Sequence, residues 1–196
     1  QSTTTATILP KALTVSGITA SSRVYNGLTP TAVNTSNVAF TGLMGGDQLS
    51  IATTGAFADK NVGTAKTVNL TSTYSGADVG NYSITHQATT TANVTTASLT
   101  VSGITAANKT YDNTTVATPS VSGVVLTGLV SGDEVLVSAT GVFNNENVGN
   151  GKTVTLTSSY SGADRGNYTI SGQGTTTANI TPLTVVLSGS SGLVKV

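Results

Sequence analysis

Apolar and polar residues alternate most strictly along Lys66–Tyr74 (KTVNLTSTY), where Val68 and Leu70 point to one side and Thr67, Asn69 and Thr71 to the other. A period of two is that of a strand with one face buried and one face in water. Ala12–Gly17 (ALTVSG), Gln48–Ala52 (QLSIA), Asn81–Thr85 (NYSIT) and Thr90–Thr95 (TTANVT) follow the same rule, and Asn-Gly, Gly-Asp and Ser-Gly pairs between them mark turns. Strands with a single apolar face bury it by packing sheet on sheet, so the pattern predicts an all-β chain built from β-sandwiches.

The same pattern occurs twice. LTVSGITA at Leu13–Ala20 returns at Leu99–Ala106, and GLMGGD at Gly42–Asp47 returns as GLVSGD at Gly128–Asp133, both after 86 residues. That shift also carries NVGTAKTVNLTSTYSGADVGNYSI (Asn61–Ile84) onto NVGNGKTVTLTSSYSGADRGNYTI (Asn147–Ile170), without a gap and with about half of all aligned positions identical. The register runs on at both ends: Thr3–Pro10 matches Thr175–Pro182, and Lys195 falls one period after Lys109. The expected organisation is the tail of a preceding repeat over 1–10, one unit over 11–96, a second over 97–182, and the start of a following repeat over 183–196, as in a piece of a longer array. Seven to nine short strands fit each unit. A domain of this size hides only about 60–65% of its unfolded surface, so the core is thin. The join Thr89–Gly103 has no flexible Gly/Pro stretch, and one strand is expected to lead almost directly into the next unit's first.

Composition narrows the picture further. Threonine is about a fifth of the residues, as suits a pleated sheet better than a helix. The hydrophobic share is 37% with net charge +0, unlike a disordered chain. Eight Lys+Arg against eight Asp+Glu, with no basic run, leave no footprint for nucleic acid. No apolar run approaches the roughly 18 residues that span a bilayer, so membrane insertion is not expected. There is no cysteine to form disulfides or thiolate metal sites, and QSTTTATILP lacks the basic and apolar regions of a signal peptide, which suggests a removed leader or an internal piece.

GADVGNY (Gly76–Tyr82) and GADRGNY (Gly162–Tyr168) each place an acid, a glycine and a tyrosine before a late strand, like the tyrosine corner of immunoglobulin-like sandwiches. Asp78, Tyr82, Asp164 and Tyr168 are therefore expected to be structural. With no Trp and no disulfide, the core of an immunoglobulin-like unit would rest on Phe57 and Phe143, on Val68/Leu70 and Val154/Leu156, and on the tyrosines.

KTYDNTT (Lys109–Thr115), GLVSGDEV (Gly128–Val135), FNNENVGNGKTV (Phe143–Val154), SGADRGNYTI (Ser161–Ile170) and TTTANITP (Thr175–Pro182) together resemble the YDG repeat and related MBG-type repeats. These occur in long bacterial surface and secreted adhesins, including filamentous-haemagglutinin-like exoproteins of two-partner secretion systems. The resemblance covers both units, with two departures: the first has Arg23-Val24-Tyr25-Asn26-Gly27, and the second has Asn113 where the family's name expects glycine. A role that needs an acid at Asp112 is thus not shared by the two.

The catalytic constellations that the sequence suggests are incomplete. GNGKT (Gly149–Thr153) lacks the earlier glycine of a phosphate loop, Glu146 standing in its place. The acids common to both units, Asp47/Asp133 and Asp78/Asp164, all sit in Gly- or Ala-flanked turns, where Asp usually caps backbone amides. His86 is replaced by Gly172, so no Ser-His-Asp set is duplicated. No enzyme is expected. No cofactor is called for; calcium, which often stiffens joints in such proteins, would find sparse carboxylates and no EF-hand spacing. Lys66 and Lys152 are equivalent, and an isopeptide crosslink to one of the shared asparagines (Asn61/Asn147, Asn81/Asn167, Asn93/Asn179) is weighed against a snorkelling lysine or a lysine–aspartate pair. The triplets Thr3–Thr5, Thr89–Thr91 and Thr175–Thr177 are too sparse for an ice- or glycan-binding ladder.

The resemblance implies a structural spacer in the stalk of a secreted or surface-attached bacterial adhesin, monomeric as a fragment, touching its neighbouring repeats and projecting a distal binding domain. A compact unit has a radius of gyration of about 12 Å, so reach would come from copy number. The alternative is a module that binds a host or matrix glycan or protein directly, using the most divergent region, Ser21–Ala39 against Ala107–Val125.

Overall fold

A computed structural model of the chain describes residues 2–186; of the following repeat expected over 183–196, residues from 187 onward lie outside the described part. Apart from residues 166–169, the boundary between two compact units falls between Ala97 and Ser98. Among the described residues the only helical pieces are single 3-10 turns at Val79–Asn81 and Arg165–Asn167. The protein is all-β, in two tandem units.

The first unit contains β1 (Lys11–Ser16), β2 (Thr19–Ala20), β3 (Arg23–Val24), β4 (Pro30–Thr31), β5 (Val33–Asn34), β6 (Ala39–Thr41), β7 (Ser50–Phe57), β8 (Gly63–Ser75), β9 (Tyr82–Thr85) and β10 (Thr89–Thr95). One sheet has the order β6-β1-β9, a second β3-β10-β8-β7-β4, and β2 pairs with β5. The second unit repeats this with β11 (Ala97–Ser102), β12 (Thr105–Ala106), β13 (Lys109–Thr110), β14 (Val116–Ala117), β15 (Pro119–Ser120), β16 (Val125–Thr127), β17 (Leu136–Phe143), β18 (Gly149–Ser161), β19 (Tyr168–Ser171) and β20 (Thr175–Thr181), in sheets β16-β11-β19, β13-β20-β18-β17-β14 and β12-β15. A single residue, Thr96, separates β10 from β11.

The long hairpins β7–β8 and β17–β18 carry the alternation read from the sequence. Phe57 pairs with Val68 and Phe143 with Val154, and all four are buried. Beneath this sheet lies the apolar face of the first strand, Leu13 and Val15 with the following Ile18, or Leu99, Val101 and Ile104, all at most 2% exposed. In the second unit Val101 and Ile104 form one cluster with Phe143, Val154, Leu156, Ala178 and Ile180, with Leu126 and Ile170 of the smaller sheet packed against it. The two sheets thus face each other through a common core. Each such Leu or Ile contributes about 1.5–3 kcal/mol by leaving water.

The sheets are mixed. β1 pairs antiparallel with β6 but parallel with β9, and β10 pairs antiparallel with β8 but parallel with β3. The chain therefore crosses from one sheet to the other between β9 and β10, and Gln87 occupies that crossing. Its Nε2 donates to the Ile18 carbonyl at 2.8 Å and to the Thr89 carbonyl at 3.0 Å, while its Oε1 accepts the Ile18 N–H at 2.9 Å. Gln173 makes the same three bonds with Ile104 and Thr175. Just before Ile18 and Ile104, the chain bends at Gly17 and Gly103, both at positive φ; a Cβ there would lie 2.2 or 2.3 Å from a backbone oxygen.

A bulge breaks the register of β10 on β8 between Ala92 and Val94. Opposite it Ala65 adopts φ 50, and its N–H donates to Asn93 Oδ1 at 2.8 Å; in the second unit Gly151 adopts φ 58 and donates to Asn179 Oδ1 at 2.7 Å. Glycine takes this conformation freely, whereas alanine meets a steric cost.

Two substitutions test these contacts by urea unfolding. Gln173→Met keeps the length of the side chain but leaves the buried Ile104 N–H and carbonyl unpaired, and should cost about 2 kcal/mol with faster amide exchange at Ile104. Ala65→Gly should stabilise the first unit by about 0.5–1 kcal/mol, because the bulge stays and the strain goes.

Candidate functional site

Three side-chain clusters recur at equivalent positions, and the first surrounds the expected corner. At the 3-10 turn, Asp78 Oδ2 accepts the Gln48 N–H at 2.8 Å, and Asp164 Oδ2 accepts the Glu134 N–H at 3.0 Å. Tyr82 and Tyr168 open β9 and β19 with buried rings. The Tyr82 hydroxyl accepts the Met44 N–H at 3.0 Å and donates to the Asp47 carboxylate. In a tyrosine corner the hydroxyl returns to backbone a few residues upstream. Here it reaches the backbone of Met44 and the carboxylate of Asp47, 38 and 35 residues upstream. The bond to Asp47, chiefly, holds the Tyr82 phenol above its ordinary value. Asp47 and Asp78 are both engaged in tying turns together.

The second cluster was not foreseen as a unit. Arg23 lies over the Phe57 ring at 5.3 Å, and at the equivalent place Lys109 Nζ lies over Phe143 at 5.6 Å. Both rings are 2% exposed, so the expected core phenylalanines also serve as platforms for a cation. Each cation then holds the turn that follows. Lys109 Nζ donates to Asp112 Oδ1 at 2.7 Å, to the Thr114 carbonyl at 2.6 Å and to Thr114 Oγ1 at 2.9 Å. Arg23 donates to the carbonyls of Pro30, at 3.0 Å, and Leu28. Within the turn, Asp112 Oδ1 accepts the Thr114 N–H at 2.9 Å, and Asn26 Oδ1 accepts the Leu28 N–H at 3.1 Å.

The third cluster concerns the equivalent lysines. Lys66 Nζ contacts Asp59 Oδ1 at 2.7 Å, and Lys152 Nζ contacts Asn145 Oδ1 at 2.5 Å. Among the described residues, none of the shared asparagines weighed as crosslink partners is the one either lysine reaches. Asn93 and Asn179 are occupied at the bulges, Asn81 closes the 3-10 turn on the Asp78 carbonyl, and Asn61 and Asn147 donate their N–H groups to Asp59 and Asn145. The lysine–aspartate pair is what forms in the first unit, and it holds the Asp59 carboxyl below its usual range.

The other residues singled out lie apart. His86 is exposed just after β9. At its equivalent, Gly172, a Cβ would come within 2.1 Å of the Tyr160 hydroxyl. GNGKT forms the start of β18, and the second and third Thr triplets lie in β10 and β20. An open hollow of 360 Å³ is lined by Ile8, Leu9, Pro10, Lys11, Gly80 and Asn81; a groove of 110 Å³ is lined by Ser138, Ala139, Thr140, Thr157 and Ser159. Neither brings a nucleophile together with an acid and a base. Among the described residues no three His, Cys, Asp or Glu side chains gather as metal ligands, and no helix is long and apolar enough to cross a membrane. The roles of Gln87/Gln173 and Arg23/Lys109 escaped the sequence reading, although the glutamine and a cation both recur at the repeat spacing.

A model of the YDG domain matches residues 9–92 and again residues 95–178. No curated protein and no solved structure matches the chain.

The Lys109 contact, followed by the bonds from Thr114, lowers the Asp112 carboxyl from 3.8 to about 2. A carboxyl lowered by folding stabilises fully above 3.8 and loses that contribution as the pH falls through about 2. Acidification over this window should therefore expose the Thr114 amide to exchange, while the Leu28 amide, held by the non-titrating Asn26, should show no such step.

Proposed function

The chain belongs to the YDG domain family, with two copies of the domain in tandem, and from that premise we propose that it is a spacer in the stalk of a secreted or surface-attached bacterial adhesin, projecting a distal binding domain from the cell. The observation that carries this reading is what the two units keep in common. They share the glutamine clamp at Gln87/Gln173, the Asp78/Asp164 turn bond, the Asn93/Asn179 bulge bond and the Phe57/Phe143 platform. Each of these holds a unit together. Among the polar groups that differ between copies, Asn26/Asp112, Asp59/Asn145 and His86/Gly172 lie in turns or crossings.

A spacer needs units that resist proteolysis and joints that do not fold back. Paired strands with caps on their turns supply the first, and the one-residue join at Thr96 suits the second. With only 8% charged residues, the surface rests on Thr, Ser, Asn and Gly.

Direct binding of a glycan or host protein is the second reading, and one feature favours it. Val116 and Val142 pair across β14 and β17 while 67% and 51% exposed, where the first unit has Pro30 and Ala56. Side-by-side exposed valines on one unit alone are suited to a contact that the other does not make.

Small-angle scattering of the chain should give an elongated, rod-like profile, and a compact folded-back pair would count against the spacer. Glycan-array and cell-binding assays should show no saturable binding. Saturable binding abolished by Val116→Asp or Val142→Asp would replace the spacer reading with the binding one.

A further inference from the structure

The chain contains two Asn-Gly pairs, Asn26-Gly27 and Asn150-Gly151. In such a pair the glycine nitrogen can close on the preceding carboxamide with no side chain in its way. Both asparagines are exposed, so access to solvent does not separate them. Their glycines differ. Gly151 lies within β18 and its N–H is held by Asn179 Oδ1 at 2.7 Å. Gly27 lies outside any strand at φ 77, and among the described residues its N–H has no protein acceptor. At the same time Asn26 Oδ1 accepts the Leu28 N–H, which polarises the carboxamide toward attack at Cγ.

What the turn lacks is equally specific. Among the described residues Arg23 Nε is buried without a hydrogen-bond partner, and the guanidinium's other nitrogens donate to the carbonyls of Pro30 and Leu28. In the second unit Lys109 has a carboxylate three residues on, at Asp112. Three residues after Arg23 stands Asn26.

We propose that Asn26 is a deamidation site of the folded protein while Asn150 is protected, and that the aspartate formed at position 26 supplies the counter-charge that Arg23 lacks. The Gly27 nitrogen gives up its proton and bonds to Asn26 Cγ, and the carboxamide nitrogen leaves as ammonia, closing a five-membered succinimide. Water then opens the ring. Addition at Cγ breaks the Cγ–N bond and gives aspartate; addition at the main-chain carbonyl carbon gives isoaspartate. Solvent water is the only co-reactant. The first product changes Tyr25-Asn26-Gly27 into the Y-D-G sequence for which the family is named.

The test holds the full chain in warm, mildly alkaline buffer, digests it at intervals and follows the peptides by mass spectrometry. The peptide with Asn26 should gain about one dalton, split between the two isomers. It should do so about fivefold or more faster than the peptide with Asn150, since the Gly151 hydrogen bond must open before its nitrogen can attack. In urea the two rates should converge. Equal rates in the folded chain, or a ratio that urea leaves unchanged, would overturn the site. The counter-charge is read separately with Asn26→Asp: amide exchange at Leu28 should slow at low salt, less so at high salt, and the gain should vanish in an Arg23→Gln background. Exchange that does not respond to Asn26→Asp would overturn that part.

Discussion

Each unit must carry its chain from one sheet to the other without leaving buried peptide groups unpaired, and one glutamine meets that demand. At the end of β1 the chain leaves its sheet, so the Ile18 N–H and carbonyl have no ladder partner, yet Ile18 is 1% exposed. The primary amide of Gln87 presents an acceptor and a donor side by side, as a neighbouring strand would, and pairs both groups. Its second donor reaches Thr89, at the start of β10. The residue that leaves the first sheet is thus tied to the strand that enters the second. With no Trp, no Cys and a thin core, a pair of unsatisfied groups at this crossing would cost a large part of the stability of so small a domain.

Duplication within one chain makes each tie visible twice. At Gln87 and Gln173 both the residue and its three bonds are the same in the two copies. Where only the geometry matters, the residues differ and the geometry holds. Arg23 and Lys109 both sit over a phenylalanine, one reaching carbonyls and the other a carboxylate. Asp59 and Asn145 both receive a lysine and both accept the N–H two residues on. The shared requirement is an oxygen at that place, which carboxylate and carboxamide supply equally.

The long strands and the tandem organisation were legible in the sequence because alternation and repetition are both periodic signals. Lys66–Tyr74 lies within β8, with Val68 and Leu70 buried. Two-residue strands such as β3 and β14 are too short to show any period. The parallel pairing of β1 with β9 joins residues about seventy apart, and no local pattern encodes it. Asp78 and Tyr82 stand out in the sequence by their repetition, but the pairing of the tyrosine with Asp47 does not. Asp47 lies 35 residues away and became its acceptor only once the sheets were assembled. The glutamine left one trace, its identity between differing neighbours on either side in THQATTT and SGQGTTT.

The sequence for which the family is named can be read through these turns. Tyr25 is buried and Tyr111 packs against the core, and their N–H groups donate to the carbonyls of Thr95 and Thr181 at the ends of β10 and β20. The tyrosine therefore anchors the turn at its start. The next residue accepts an N–H from two residues further on, which Asp112 and Asn26 both do. The third must turn left-handed: Gly27 does so at φ 77 and Asn113 at φ 59, asparagine being among the few other residues that adopt this conformation readily. Tyrosine, then Asp or Asn, then Gly or Asn satisfies all three conditions, so neither departure breaks the motif. The carboxylate of such a motif is a turn acceptor first, and a cation three residues before it decides whether its charge adds anything.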